Sequence, residues 1–218
     1  MRREFPVTLA ILTSASLFLS ACGNGLDRAE DSDSIIGVET EKATPSDIPS
    51  DSADQSVQRP DITLPADVKD VFEGWKTGND EKDLILDDVA RSQTAVNKAI
   101  VEGDVDAPGL SFYYAGEALI TSAAFVQSWL DADLTYTGTT RYFNPRVELF
   151  DDESAGVSFC ADETMAPNKD RRSGKVDKEP PSRDSYILYN TRVEKDENGV
   201  WQTTSGLDVR GSAKCIQE

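Results

Sequence analysis

Residues 139–163 read TTRYFNPRVELFDDESAGVSFCADE, and residues 185–209 read SYILYNTRVEKDENGVWQTTSGLDV. Both stretches are rich in β-branched and aromatic residues and change character every second position. Each therefore predicts a pair of strands: 139–150 with 156–163, and 185–195 with 200–209. Asp151-Asp152-Glu153-Ser154 connects the first pair. Asp196-Glu197-Asn198-Gly199 connects the second, and its Asn-Gly step matches a primed hairpin turn. The link between the pairs, residues 165–183, is long and polar. Upstream the spacing of apolar residues lengthens. Val68, Val71, Phe72 and Trp75 stand at i, i+3, i+4 and i+7, which predicts a helix opened by Pro65 and ended by Gly78. Asn79 or Asp80 caps a second, longer helix, lined by Ile85, Val89, Ser92, Val96 and Ala99 and stopped by Gly103. Residues 106–109 read as a turn. A third helix over 116–131 offers Ala118, Phe125, Val126, Trp129 and Leu130 to a core. The order, helices and then an antiparallel four-stranded meander, predicts an α+β fold with helices over one face of a curved sheet.

Outside this region the chain reads as an address. Arg2 and Arg3 precede an apolar run over 7–19, too short to span a bilayer as a helix. It ends in Leu19-Ser20-Ala21-Cys22, which resembles the bacterial lipobox. That resemblance implies a signal peptide over 1–21 and diacylglycerol on the Cys22 thiol. Acyl chains then replace the lost apolar segment as the anchor, and two or more suffice. Arg2-Arg3-Glu4-Phe5 looks like part of a twin-arginine motif that the flanking residues do not complete. The expected location is the extracytoplasmic face of the cell membrane, with membrane lipid as the first partner. Residues 22–60 are acidic, rich in Ser and Pro and free of aromatics. Such a stretch cannot offset its chain entropy by burial, so a disordered linker is expected, reaching on the order of 35 Å. Its Asp27–Asp33 cluster lacks the Asp-x-Asp-x-Asp-Gly pattern of a calcium loop. The folded domain is placed at 61–218.

Charge and composition exclude several functions. Of 218 residues, 40 are Asp or Glu, 22 are Lys or Arg and none is His, for a formal charge of −18. A chain without His has no Ser-His-Asp triad, no Cys-His dyad and no His-ligated metal. A polyanion is a poor ligand for nucleic acid. No metal or cofactor is expected. With Cys22 lipidated, Cys160 and Cys215 remain as an even pair in an exported domain, and a disulfide is the default.

Five segments carry a family resemblance: 137–143 (TGTTRYF), 159–163 (FCADE), 170–176 (DRRSGKV), 184–190 (DSYILYN) and 200–203 (VWQT). With the helices-then-meander order, they resemble a group of actinobacterial lipoproteins with a nuclear transport factor 2-like, polyketide-cyclase-like domain. The resemblance implies a cone-shaped α+β barrel over 61–218. That superfamily holds isomerases, cyclases and dehydratases beside non-catalytic binding domains, and its members often dimerise, so a homodimer is one expectation. Fold alone does not choose among these functions.

Two functions follow as expectations. In the first, the cone binds a small ligand or an envelope protein without catalysis. In the second, it is an enzyme of isomerase or hydrolase type, with Asp162 as base and a Tyr as donor. Strand alternation puts Ser158, Cys160 and Asp162 on one face and Val157, Phe159 and Ala161 on the other. Asp162 is a candidate only if its face is the interior. Tyr136, Tyr142, Asp162 and Tyr186 are the candidate ligand residues, and Tyr113, Tyr114, Trp129 and Tyr189 are further candidates for a cavity wall or for plain core. The Lys169, Arg171, Arg172 and Lys175 loop is unusually basic for this chain. It reads either as a partner-binding surface or as charges paired within the domain.

Overall fold

The computed structural model describes residues 57–177 and 180–216. The signal segment, Cys22 and the linker up to residue 56 lie outside the described residues. The elements run β1 (Val68–Phe72), α1 (Asp80–Glu102), α2 (Pro108–Tyr113), α3 (Gly116–Asp131), β2 (Leu134–Tyr136), β3 (Gly138–Leu149), β4 (Ser154–Met165), β5 (Asn168–Asp170), β6 (Tyr186–Lys195) and β7 (Trp201–Arg210). Among the described residues no helix is long and apolar enough to cross a membrane.

The fold is α+β, as the order of patterns predicts, but the sheet has five strands, not four. Their order is β1-β3-β4-β6-β7, and β2 and β5 form a separate antiparallel pair. The fifth strand is β1, which the helical spacing of Val68, Val71 and Phe72 assigns to a helix. Five residues can satisfy that spacing by chance, and tertiary pairing overrides it. Here β1 lies parallel to β3 in the register Val68↔Gly138 to Phe72↔Tyr142. Gly138 permits the junction. Its φ is +96°, and a Cβ there would sit 2.1 Å from the Met165 carbonyl oxygen, so no other residue fits.

The long helix forms where its caps predict. The Asn79 side chain accepts from the Lys82 amide at 2.9 Å, Asp80, Glu81 and Asp83 occupy the first turn, and Gly103 ends the helix at φ +76°. The expected turn at 106–109 is instead the entry to α2, with Pro108 at its first position. The β6–β7 connection also departs from expectation. Only Gly199 has positive φ, so the turn is not a primed one. The Asp196 carboxylate shapes it by accepting from the amides of Asn198 and Val200, both at 2.8 Å.

Strand β4 sets the layers. Ala155, Val157, Phe159 and Ala161 pack against Ile85, Leu86 and Val89 of α1, so this face is interior. The opposite face carries a small outer cluster of Phe143, Cys160 and Cys215, flanked by Tyr186 and Leu188. Cys160 and Cys215 are disulfide-bonded there. The second half of α1, through Ala95, Ala99 and Ile100, packs on Leu110, Tyr113, Ala118 and Val126 of the other helices. Ordered packing starts upstream of Asp61. Val57 packs against that cluster, and the Arg59 guanidinium pairs with Asp88, which is 2% exposed at the centre of α1. The other Asp88 oxygen accepts from the Trp201 amide at 3.0 Å.

Candidate functional site

Between the second half of α1, the end of α3 and the sheet lies a cavity of about 440 Å³. Its apolar wall comes from Val96 and Ile100 of α1, Phe125 and Trp129 of α3, Tyr136 of β2, Tyr142 of β3 and Tyr189 of β6. The two sheet tyrosines are backed by stacked rings. Phe72 lies behind Tyr142 with centroids 4.8 Å apart, and Phe159 behind Tyr189 at 4.9 Å. Such stacking fixes ring orientation as well as burying area. Glu163, Asp177, Asp184 and Arg210 bring charge to the same cavity, and Arg210 is paired with Glu163 at 2.6 Å.

The Tyr136 hydroxyl has no hydrogen-bond partner although its residue is only 6% exposed. Leaving a buried hydroxyl unpaired costs about 1–3 kcal/mol, so a group of this kind asks for an explanation. Burial pushes the Tyr136, Tyr142 and Tyr189 hydroxyls far above the usual phenol range. Asp70 adds to the effect at the first two, and Glu163 at the first and third. All three stay protonated at neutral pH.

Asp70 is the group that sequence reading missed. It lies on β1 within a segment read as helical, which hid that it shares a strand face with Val68 and Phe72. Asn97 Nδ2 donates to both Asp70 carboxylate oxygens, at 2.9 and 3.0 Å, and to the Tyr142 hydroxyl at 2.9 Å. Asp70 thus touches the cavity wall through Asn97 and Tyr142. Burial raises its carboxyl pKa, against the bonds from Asn97 and Thr94 that lower it. A carboxyl raised in the folded state favours folding at low pH and loses that contribution as pH rises. Asp70→Asn is therefore expected to be more stable than the wild type at pH 7, with the gain shrinking as pH falls to the usual carboxylate range. Urea titrations at several pH values measure this, and a gain independent of pH would contradict it.

Four sequence-predicted site residues do not reach the cavity. Asp162 points to the outer face, as the alternation of β4 requires once Phe159 is interior. Its Oδ2 accepts from Arg141 at 3.0 Å, and Arg141 also holds Glu73 at 3.0 Å. Burial raises the Asp162 pKa, but bonds from Thr164 and Arg141 outweigh it and hold the carboxylate below its ordinary range. That suits a structural ion pair and not a base. Tyr186 sits in the outer cluster around the disulfide. Tyr113 and Tyr114 are core, 0% and 6% exposed. Tyr136, Tyr142, Tyr189 and Trp129 do line the cavity.

Three of the four basic residues of the loop have partners within the domain. Lys169 pairs with Asp67 at 3.0 Å, and Arg172 Nε donates to Asp133 at 2.9 Å. Arg171 donates to the carbonyls of Ile100 and Val101 at the end of α1 and to Leu134. A guanidinium there satisfies carbonyls that the helix leaves unpaired and faces the negative end of its dipole. Arg171 ties β5 to the end of α1, Lys169 pairs ahead of β1 and Arg172 ahead of β2, while the Arg172 and Lys175 side chains stay exposed.

Solved structures resemble this chain in outline only. A ketosteroid isomerase-like protein from Erwinia carotovora atroseptica aligns at TM-score 0.43 and 19% identity, over 62% of this chain and 98% of that one. The intermembrane space region of the chloroplast protein ARC6 aligns at TM-score 0.40 and 15% identity, over 57% and 92%. An NTF-2 like protein of unknown function from Shewanella oneidensis aligns at TM-score 0.37 and 18% identity, over 56% and 96%. Likeness at this level carries no argument about function. No protein-family model matches the sequence, and no curated protein matches it.

Proposed function

We propose that the chain is a lipid-anchored, extracytoplasmic domain whose cavity binds a small ligand without transforming it. An aromatic-walled cavity of about 440 Å³, with Tyr136 and its buried, unpartnered hydroxyl in the wall, carries this reading. Preformed concave sites with apolar walls and a few polar groups are where small ligands bind. The Leu19-Ser20-Ala21-Cys22 motif supports the anchor. The cavity, not the basic loop, carries this reading, because Lys169, Arg171 and Arg172 each have a partner within the domain.

The test is an NMR fragment screen of the mature chain with neutral, anionic and cationic compounds. Expected are binders that shift the Trp129 indole resonance and lose about tenfold or more in affinity in Trp129→Ala, the order seen for an aromatic anchor. A screen without binders at that indole would overturn ligand binding. Labelling with an alkyne fatty acid tests the anchor separately. Cys22→Ser is expected to lose the label and leave the membrane fraction.

Asp70 favours a second reading, proton transfer on the bound ligand. Its carboxyl has a raised pKa and is linked through Asn97 to a hydroxyl in the cavity wall. Asp70→Asn that keeps ligand affinity but abolishes any turnover would favour this reading over plain binding.

A further inference from the structure

We read the cavity as a ligand site, and the inference here rests on that reading. Part of the wall is a short turn, Arg183–Ser185, whose Asp184 and Ser185 line the cavity with Ser182 beside them. The turn is closed on itself. The Ser182 hydroxyl accepts from the Asp184 amide, and the Ser185 hydroxyl from the Ser182 amide, both at 3.2 Å. Such a unit keeps its own shape and takes its place from what holds it outside. Three hydrogen bonds tie it to two residues at the end of β7. Arg210 Nη1 donates to the Asp184 carbonyl at 2.9 Å, Arg183 Nε donates to the Gly211 carbonyl at 2.9 Å, and the Gly211 amide donates to the Tyr186 carbonyl at 2.7 Å. Gly211 has φ +73°, and a Cβ there would sit 2.8 Å from an Asp184 carboxylate oxygen, so the two segments lie in contact. Residues 178–179 lie outside the described residues, and every contact named here is at Ser182 or beyond.

The chain past Gly211 is held by the disulfide. Residues 212–216 carry no helix or strand, and Ala213 and Lys214 are exposed. Cys215 is bonded to Cys160 of β4 and packs beside Phe143. The bond therefore fixes, four residues on, the segment whose first residue holds the turn.

We propose that the Cys160–Cys215 bond is a redox-sensitive element of the cavity: its reduction by a dithiol frees residues 212–216 and, through Gly211 and Arg183, loosens the 182–185 turn in the wall. A thiolate of the dithiol attacks one sulfur to give a mixed disulfide, and the second thiol of the reductant then displaces it. The dithiol leaves as its own cyclic disulfide, and two electrons and two protons end on the Cys160 and Cys215 thiols. Both cysteines are buried, so attack follows local opening of 212–216. A segment without secondary structure and with exposed side chains opens at low cost.

The experiment is backbone amide NMR relaxation on the mature chain well below its melting temperature, oxidised and then treated with dithiothreitol. Thiol alkylation and mass spectrometry report whether the bond is open. Order parameters describe the folded state itself, so a fall in global stability alone does not move them. Reduction is expected to take Asp184, Ser185 and residues 212–216 from the rigid range near about 0.85 to below about 0.6, with Asn198 and Val200 of the β6–β7 turn unchanged. Arg183→Met, with the disulfide intact, is expected to loosen Asp184 and Ser185 while 212–216 stay rigid. This variant keeps the test alive should the reduced chain unfold. A bond that dithiothreitol leaves closed in the folded chain overturns the redox sensitivity. A reduced chain in which 212–216 move and the turn stays rigid overturns the coupling, as does a rigid turn in Arg183→Met. No ligand enters the measurement, so its failure leaves ligand binding to the fragment screen, and a failed screen leaves the coupling of turn and disulfide to this one.

Discussion

Arg59→Ala is expected to destabilise the domain by roughly 3 kcal/mol, the lower end of the cost of removing one partner from a buried ion pair. The lower end applies because the Arg59 side chain is 30% exposed while that of Asp88 is 3% exposed. Asp88 sits at the middle of α1, where one oxygen meets Arg59 and the other accepts from the Trp201 amide at the start of β7. Without the guanidinium, a carboxylate stays buried between helix and sheet with only a neutral donor. Arg59 also approaches the Tyr113 hydroxyl at 3.4 Å, so its loss loosens residues 57–60 from α1 and α2 together. The measurement is the urea midpoint of wild type, Arg59→Ala, Asp88→Asn and the double variant. A positive coupling is expected, with the double variant less destabilised than the sum of its parts. Arg59→Ala within about 0.5 kcal/mol of wild type would show that water replaces the arginine at no cost.

The second large effect is at the disulfide. Cys160 on the central strand β4 joins Cys215 beyond β7, a separation of 55 residues. Closing a loop of that length restricts the unfolded chain by about 4 kcal/mol, an upper figure from chain entropy. Replacing both cysteines by Ala is expected to approach that loss and lower Tm by roughly 10 °C. Part of the cost is local, since both cysteines fill the outer cluster beside Phe143. Differential scanning calorimetry of the double Ala variant measures it. A fall of less than about 2 °C, under 1 kcal/mol for a domain of this size, would mean that the outer cluster alone holds the C-terminal segment.

Much of the architecture was legible because local signals agreed with it. Asn79 and Gly103 bracket α1, and alternation with polar punctuation locates β3, β4, β6 and β7 within two residues at each end. The even pair of cysteines left once Cys22 is set aside, together with the expectation of export, anticipates the Cys160–Cys215 bond. The failures share a cause. Residues 68–72 carry too few positions for periodicity to separate strand from helix, and their partner β3 lies 70 residues away. Losing β1 meant losing Asp70, whose place beside Asn97 and Tyr142 is set only by that long-range pairing. The two-residue period of β4 posed the right question about Asp162, but only the side covered by α1 answers it. The loop arginines were ambiguous for another reason. Sequence shows charge but not the carbonyls at the end of α1 that Arg171 satisfies.

The parallel pairing of β1 with β3 also bears on the order in which the molecule assembles. The hairpins β3–β4 and β6–β7 close short loops, and α1 to α3 follow one another closely. β1 must wait for α1, α2 and α3 to be laid down before it meets β3, and closing so long a loop is slow. The strand that supplies Phe72 behind Tyr142, and Asp70 beside Asn97, is thus the last tile of the sheet and stands at its edge. Edge pairings open first. Amide hydrogen exchange at Val71 and Glu73, whose N–H groups face β3, then reads out the integrity of the cavity's back wall before the rest of the domain unfolds.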